Sequence, residues 1–237
     1  MNNFKLILLL LVSTSLFSCQ DVIKGVGEIV PETRSLEPFD EIELNGMINA
    51  TFRQIKSAEV DKVVVSAQEN LLPYVKTRVE DGLLIIEIEE SIKTDKDVIV
   101  EIYGGSFRSL VNTGSGDLKS DGKIKVQKLY VENNGSGDVF LELETKSLEA
   151  ELNGSGDISF SGSTDYLEVE SNGSGDFNSK EMRSFEVEIE TNGSGDASFF
   201  VKESLDVEIN GSGDVFYKGK PELSKSLNGT GSIKAAK

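Results

Sequence analysis

A four-residue string, Gly-Ser-Gly-Asp, recurs through the second half of the chain and constrains the fold more than any other feature. It occurs six times, a degenerate seventh copy reads Gly-Thr-Gly-Ser, and successive copies start 18 to 21 residues apart. The seven copies start at Gly114, Gly135, Gly154, Gly173, Gly193, Gly211 and Gly229. A period near 20 residues is typical of a solenoid, in which each repeat packs on its neighbours.

Apolar and polar residues alternate on both sides of each glycine string. In one repeat, apolar residues occupy every second position from Val139 to Leu143 and again from Leu148 to Leu152. This period of two indicates strands with one buried face. A single repeat cannot bury its own apolar face, so the strands of successive repeats must stack in parallel, about 4.8 Å apart. The sequence therefore predicts an all-β fold, a parallel β-solenoid with 18–21 residues per coil.

The residues before the repeat are less regular. Alternation begins at Phe39 and passes through a worn turn at residues 45–46, residues 69–75 suggest a short helical turn, and Asp81-Gly82 is a strong hairpin signal. We expect this segment to form an irregular N-terminal β cap that covers one end of the stack. The predicted parts are a signal peptide at 1–18, a lipid anchor and tether at 19–36, the cap with worn coils at 37–110, and the repeat solenoid at 111–237.

One coil of the repeat is longer than those on either side of it. The step that begins at Gly173 has 20 residues, whereas the steps on either side have 19 and 18. The extra residue predicts a bulge or a wider turn at Glu190-Thr191, just before Asn192.

The first residues read as an export signal. Lys5 precedes an unbroken apolar run, Leu6 to Val12, which is too short to span a bilayer but suits a secretory signal. The segment ends Leu16-Phe17-Ser18-Cys19, which resembles the lipobox of bacterial lipoproteins. Since Cys19 is the only cysteine, we predict that it is lipidated and holds the exported protein on the bacterial cell envelope, at the outer membrane. The alternative is a chance cysteine behind an ordinary signal peptide.

Four sequence motifs occur together in a fixed order along the chain. They are Phe39-Asp40-Glu41-Ile42, Glu69-Asn70-Leu71-Leu72, Asp81-Gly82-Leu83-Leu84-Ile85-Ile86 and the later Asn-Gly-Ser-Gly-Asp turns. This combination resembles one family of exported bacterial proteins, the putative auto-transporter adhesins with a head GIN domain. The resemblance covers about residues 28–235 and implies a right-handed β-solenoid in an extracytoplasmic location. It implies no established biochemical activity.

Two polar columns would accompany the glycine turns in a stacked solenoid. Asn residues precede the string, and their amides can hydrogen-bond along a ladder: Asn134, Asn153, Asn172, Asn192, Asn210 and Asn228. Asp residues close the string: Asp117, Asp138, Asp157, Asp176, Asp196 and Asp214. In a structural interpretation, the glycines supply positive φ angles and the polar side chains bond the turn backbone. In the alternative, carboxylates about 5 Å apart repel one another and bind Ca²⁺ between the coils.

Few aromatic side chains point outward. The alternation places Phe140 and Phe216 on the outer face of their strands. They would either form a small contact stripe for a glycan or protein ligand, or be partly covered by neighbouring side chains or by an oligomer contact.

The amino-acid composition excludes several classes of active site and disfavours one class of partner. The chain has no His, which excludes His-containing triads and His-ligated zinc, and its formal charge of -17 disfavours nucleic acid as a partner. Six equivalent Asp residues suit architecture better than the single carboxylate pair of a glycosidase. We therefore predict a non-catalytic, lipid-anchored envelope protein that serves adhesion or ligand binding, with no cofactor unless it is Ca²⁺. The alternatives are a structural or stress-linked envelope lipoprotein without an external ligand, and a polysaccharide-acting enzyme that uses Asp pairs.

Overall fold

The computed structural model describes residues 22–56, 61–89 and 91–236. Most of these residues lie in strands, and strands of successive coils pair in parallel, so the predicted all-β parallel solenoid is confirmed. The expected signal peptide and Cys19 lie outside the described residues. Within the described ranges, no helix has the length and apolarity that a membrane crossing requires.

The strands fall into two groups. Those of the cap and the first coils are β1 Ile23–Lys24, β2 Ile29–Ser35, β3 Glu41–Asn45, β4 Ile48–Gln54, β5 Lys62–Gln68, β6 Val75–Glu80, β7 Leu83–Ile88, β8 Ile92–Lys93, β9 Val98–Gly104 and β10 Ser109–Asn112. Those of the repeat are β11 Leu118–Lys125, β12 Lys128–Asn133, β13 Val139–Glu144, β14 Ser147–Leu152, β15 Ile158–Ser171, β16 Phe177–Thr191, β17 Ala197–Ile209, β18 Val215–Gly219, β19 Glu222–Leu227 and β20 Ile233–Ala235. A 3-10 helix at Glu69–Tyr74 is the predicted helical turn.

Each coil contributes a strand to each of two walls. The first wall contains the strands that follow each glycine string: β11, β13, β15, β16, β17, β18 and β20. The second wall contains the strands that precede it: β10, β12, β14, β15, β16, β17 and β19. Strands β15, β16 and β17 run through both walls. Because the pairing is in register along most of each strand, equivalent repeat positions stack directly, as Leu148, Leu167 and Val187 do.

The coil made by β3 and β4 lies out of chain order. Strand β3 pairs with β7 on one side and with β10 on the other, while β4 lies between β9 and β11. The coil formed by β7 and β9 therefore stacks on one side of the coil formed by β3 and β4. The repeat begins on the other side, with β10 and β11.

Antiparallel strands close this end of the stack. Strand β6 pairs with β7 through the predicted Asp-Gly hairpin, in which Asp81 has a φ of 51° and Gly82 a φ of 87°. Strand β5 pairs antiparallel with β9, and β2 pairs antiparallel with β5. These pairings cover edges that would otherwise present unpaired backbone groups.

The outermost of these strands, β2, shows that the predicted boundary between the tether and the cap at residue 37 is placed too late. Residues 29–35 of the expected tether form β2 because their backbone groups pair with β5. Arg34 fastens this strand further, since its guanidinium donates hydrogen bonds to the carbonyl oxygens of Val75 at 2.6 Å and Leu72 at 3.1 Å. The ordered cap therefore begins before residue 37.

The space between the walls is filled by apolar columns. The rings of Phe160 and Phe177 meet edge to face with their centroids 5.5 Å apart, and Phe177 stacks on Phe199 at 5.6 Å. All three rings are buried. Burying a side chain of this size contributes about 1.5–3 kcal/mol, so the stacked columns supply the main drive for packing one coil on the next.

The extra residue of the long coil lies elsewhere than expected. Glu190 and Thr191 pair in register with β17, so the predicted bulge at that position is wrong. The register shifts instead earlier in β16. Relative to β15 it shifts between Asn178 and Glu181. Relative to β17 it shifts between Ser179 and Arg183, and again between Ser184 and Glu186. Met182 is fully buried there, and burial of this apolar side chain gives a physical reason for the bulge at this position.

Candidate functional site: the glycine corner and the outer faces

The Gly-Ser-Gly corner brings the backbones of successive coils into close contact. A Cβ atom added to Gly154 would overlap the carbonyl oxygen of Gly135, and one added to Gly156 would overlap that of Gly137. The Ser155 N–H donates to the same Gly135 oxygen at 3.1 Å. The expected positive φ angles are absent from the described motif glycines. Close approach of the backbones of neighbouring coils, rather than left-handed conformation, therefore requires glycine at this corner.

The Asn side chains form a continuous ladder along the corner. From Asn153 to Asn228, each amide nitrogen donates to the amide oxygen of the Asn one coil earlier, at 2.9 to 3.0 Å. Several amides also donate to a Glu two residues earlier, as Asn172 does to Glu170 at 2.8 Å. These bonds tie neighbouring coils together at their edge.

The Asp side chains form a second ladder. The backbone N–H of each Asp donates to the carboxylate Oδ1 of the Asp one coil earlier, at 2.8 to 3.1 Å from Asp138 to Asp214. Asp214 accepts in the same way from Ser232 and also pairs with Lys234 at 2.6 Å. The bond from Lys234, and then those from Ser232, lower the pKa of Asp214 to about 2.

The Asp ladder explains these carboxylates without a metal ion. One oxygen of each column member accepts a backbone hydrogen bond, which offsets part of the repulsion between neighbouring charges. Across residues 22–56, 61–89 and 91–236, no three Cys, Asp or Glu side chains are grouped so that they could hold a metal ion. The geometry is that of a hydrogen-bonded structural column.

Three further Asn side chains bond at or beside these ladders, and the repeat pattern did not single them out. Asn49 takes the place of Asp in the coil of β3 and β4, where its Oδ1 accepts from the Asp117 N–H at 3.0 Å. Asn112 and Asn133 are buried just inside the corner, where Asn112 Nδ2 donates to Asn133 Oδ1 at 3.1 Å. A signal was present, because residues 45–49 read Asn-Gly-Met-Ile-Asn, a variant of the repeat turn.

The outer surface of the second wall is strongly acidic. Two adjacent columns, the acidic face, consist of Glu149, Glu168, Glu188 and Asp206 beside Glu132, Glu151, Glu170, Glu190 and Glu208. None of the ion pairs between described residues involves these side chains. Such a surface repels anionic polymers.

Two tyrosines border the acidic face. Partial burial, and then a hydrogen bond to Glu132, raises the pKa of Tyr130. Partial burial and a bond to Glu188 at 2.8 Å raise the pKa of Tyr166 in the same way. Both phenols therefore remain protonated donors through the physiological range.

One column on the outer surface of the first wall is uncharged in its middle coils. The column there runs Lys119, Phe140, Ser159, Asn178, Ser198, Phe216 and Lys234. Phe140 points outward as the alternation predicted and is 40% exposed. The two walls thus present different chemistry, one acidic and one polar with aromatic rings.

The stacked walls and the hydrogen-bonded corner define a parallel β-solenoid protein with rigid polar outer faces. The chain belongs to the family described as "Putative auto-transporter adhesin, head GIN domain", whose model matches residues 38–221. A search among curated proteins found no match.

Several solved structures have a similar fold. A "putative adhesin" from Bacteroides fragilis has a TM-score of 0.84 at 22% identity and covers 90% of this chain and 100% of its own. A "putative adhesin" from Parabacteroides merdae has a TM-score of 0.71 at 22% identity, with 92% and 100% covered. A "putative lipid binding protein" from Parabacteroides distasonis has a TM-score of 0.74 at 25% identity, with 92% and 100% covered.

Proposed function

We propose that this protein is a non-catalytic adhesin of the bacterial cell envelope, whose β-solenoid contacts a ligand outside the cell. The observation that carries the proposal is family membership, because the matched adhesin family spans the cap and nearly all of the repeat. The names of the similar proteins from Bacteroides fragilis and Parabacteroides merdae agree with this role.

The construction of the solenoid supports a binding role. Backbone pairing, buried apolar columns and two side-chain ladders hold each coil to the next. Outward side chains therefore occupy fixed, evenly spaced positions along each wall. Extended, rigid surfaces of this kind are what stacked repeats use for recognition.

The same contacts argue against catalysis by the repeated acids. Each Asp of the column uses an oxygen to hold the next coil, and successive members have equivalent surroundings. Glycosidases need two carboxylates with different roles on either side of one bond. The motif Ser hydroxyls have no His in the chain to activate them.

Anchoring completes the proposal. Cys19 would carry the lipid, and residues after it would connect the anchor to the first strands of the cap. The support is the apolar run that ends in Ser18-Cys19 and the position of the only cysteine in the chain. Lipid chains on this residue would hold the solenoid at the outer membrane.

The test uses bacteria that produce the full protein. Added protease should digest it on intact cells, and producing cells should bind to a surface that non-producing cells do not bind. Cys19→Ala should move the protein from the membrane fraction to the soluble fraction. Complete protection from protease on intact cells would refute adhesion and favour the structural lipoprotein, and membrane retention of Cys19→Ala would refute the anchor.

A further inference from the structure

A shallow groove of about 310 Å³ lies on the outer surface of the first wall. Its floor is formed by β13 and β15, and its sides lie at two breaks in strand register. On one side, β11 has extra residues between Lys119 and Lys123. On the other side, β16 has an extra residue relative to β15 just before Glu181. The distance from β11 to β16 is three strand spacings, about 14 Å, so the groove could accommodate a short chain of sugar-sized units.

An aromatic ring forms part of the floor. Phe140 is 40% exposed, and the Lys119 ammonium lies over its ring at 5.3 Å from the centroid. The next residue in the same column is Ser159, whose small side chain leaves space beside the ring. The C–H bonds of a sugar ring carry small positive charges and pack well on the negative face of an aromatic ring.

Polar groups surround this ring without being used by the fold. Within the described part of the chain, the hydroxyls of Ser159 and Ser161 and the carboxylate of Glu181 take part in no hydrogen bond between protein groups. The Asn178 side chain accepts one long bond, at 3.3 Å from the Lys180 N–H, and its amide hydrogens remain available. Hydroxyl, amide and carboxylate groups together can both donate to and accept from sugar hydroxyls.

Charge selects among sugars. The groove lining includes the carboxylates of Glu142 and Glu181 and no Lys or Arg, and the whole chain carries a formal charge of -17. The two ammonium groups beside the groove are themselves paired, Lys119 with Asp117 at 3.2 Å and Lys123 with Glu142 at 3.6 Å, so the Glu181 carboxylate leaves a net negative charge. A uronic acid or a sulfated sugar would therefore be repelled, whereas an uncharged sugar would not.

From this combination, we infer that the groove between β11 and β16 is a binding site for a short uncharged oligosaccharide. The sugar packs on the part of the Phe140 ring that remains exposed beside Lys119, and it exchanges hydrogen bonds with Ser159, Asn178 and Glu181. This inference rests on the proposed binding function and names the class of ligand for it. Small ligand sites of this size recognise their ligand through one apolar contact surface and a few convergent polar groups.

Titration calorimetry on the full-length protein, in a detergent without a sugar head group, tests this site. The probes are the hexasaccharides of glucose, mannose, xylose and N-acetylglucosamine, with hexagalacturonate as the anionic comparison. We expect at least one uncharged probe to bind with one site per chain. Phe140→Ala should weaken that binding about tenfold or more, because it removes the stacking surface.

A matched control separates the site from a general effect of removing an aromatic ring. Phe185 is similarly exposed, at 36%, and also lies under a lysine, Lys202, but outside the groove. Phe185→Ala should bind the probe as the unchanged protein does, and Ser159→Leu, which fills the space beside Phe140, should lose binding. Circular dichroism checks that each variant keeps its strand content.

Three results would overturn the inference. These are no binding of any uncharged probe, binding of hexagalacturonate alone, or equal effects of Phe140→Ala and Phe185→Ala. If producing cells still attach to their surface under any of these results, the adhesin proposal stands and only the sugar site is wrong. If attachment is lost in Phe140→Ala and kept in Phe185→Ala, both proposals are supported.

Discussion

Replacing one motif glycine by alanine tests the central feature of this fold. In Gly154→Ala, the new Cβ would meet the Gly135 carbonyl oxygen far inside the 3.0 Å that real Cβ contacts almost never breach. The neighbouring atom is backbone, so it cannot swing aside as a side chain would. Relief requires the two coils to separate at the corner.

The cost can be worked out from the bonds that span this corner. Separation would strain the Ser155 N–H bond to Gly135 O at 3.1 Å, the Gly154 N–H bond to Asn133 O at 3.0 Å, and the Asn153 amide bond to Asn134 at 2.9 Å. At about 1 kcal/mol for each bond, the loss is about 3 kcal/mol, before any loosening of the core beneath. This is a large part of the stability of a typical domain.

Urea unfolding followed by far-ultraviolet circular dichroism measures this cost. Gly122→Ala is the control, since Gly122 has a φ of 86° but no atom within 4 Å of an added Cβ. It should lose only about 1 kcal/mol, from the left-handed backbone alone. If Gly154→Ala loses no more than Gly122→Ala, close backbone approach is not the reason for the glycine repeat.

Four further predictions concern the polar ladders. Asn172→Ala removes two rungs of the Asn ladder and should lower the free energy of unfolding by about 1–2 kcal/mol, measured in urea, while Asn172→Gln recovers part of it. Asp157→Ala removes the acceptor for the Asp176 N–H at 2.8 Å and should lower the free energy of unfolding by about 1 kcal/mol, whereas Asp157→Asn keeps an acceptor and should lose less. Neither calcium nor a chelator should shift the thermal midpoint of the unchanged protein. A clear rise of that midpoint with calcium would contradict a purely structural role for the Asp column. The folded pKa of Asp214 lies at about 2, below its ordinary 3.8. Its stabilisation of the last coil is therefore present above pH 4 and is lost as the pH falls from about 4 to about 2. In nuclear magnetic resonance, the chemical shift of the Asp214 carboxyl carbon should titrate with a midpoint near 2, and that midpoint should rise in Lys234→Ala.

The repeat itself could be read from the sequence with high accuracy. The alternation predicts that Val139 and Leu148 face inward, and both are buried and stack in register on the next coil. The reason is that strand alternation is a local property: a residue two positions along the chain always returns to the same face. With a fixed coil length, local alternation also fixes which residues of neighbouring coils meet.

Positions where coil length changes were harder to predict. The extra residue of the long coil was expected at Glu190-Thr191, but the register shift lies near Ser179. The alternation of apolar and polar residues does not show at which position the strand register shifts, because that position depends on which side chain can be packed into the core. Here Met182 is buried in the core, and a register shift lies beside it.

The role of the motif glycines shows the same limit. Their recurrence was visible in the sequence, but the sequence suggested positive φ angles as the reason. The described corner glycines are instead needed because another backbone lies where their Cβ would be. That reason involves an atom about 20 residues away along the chain, so no local pattern contains it.

By itself, the sequence determined the strands, their inward and outward faces, and the columns of Asn and Asp that run along the corner. All of these follow from short-range periodicity and a nearly constant coil length. Only the tertiary structure decided that β3 lies between β7 and β10 and that β4 lies between β9 and β11. It also decided that β2 joins the cap and that the bulges of β11 and β16 border a groove beside Phe140. These features depend on pairing between strands that are far apart in the sequence. The contacts that stabilise such pairs are not related by the repeat period, so the sequence pattern does not reveal them.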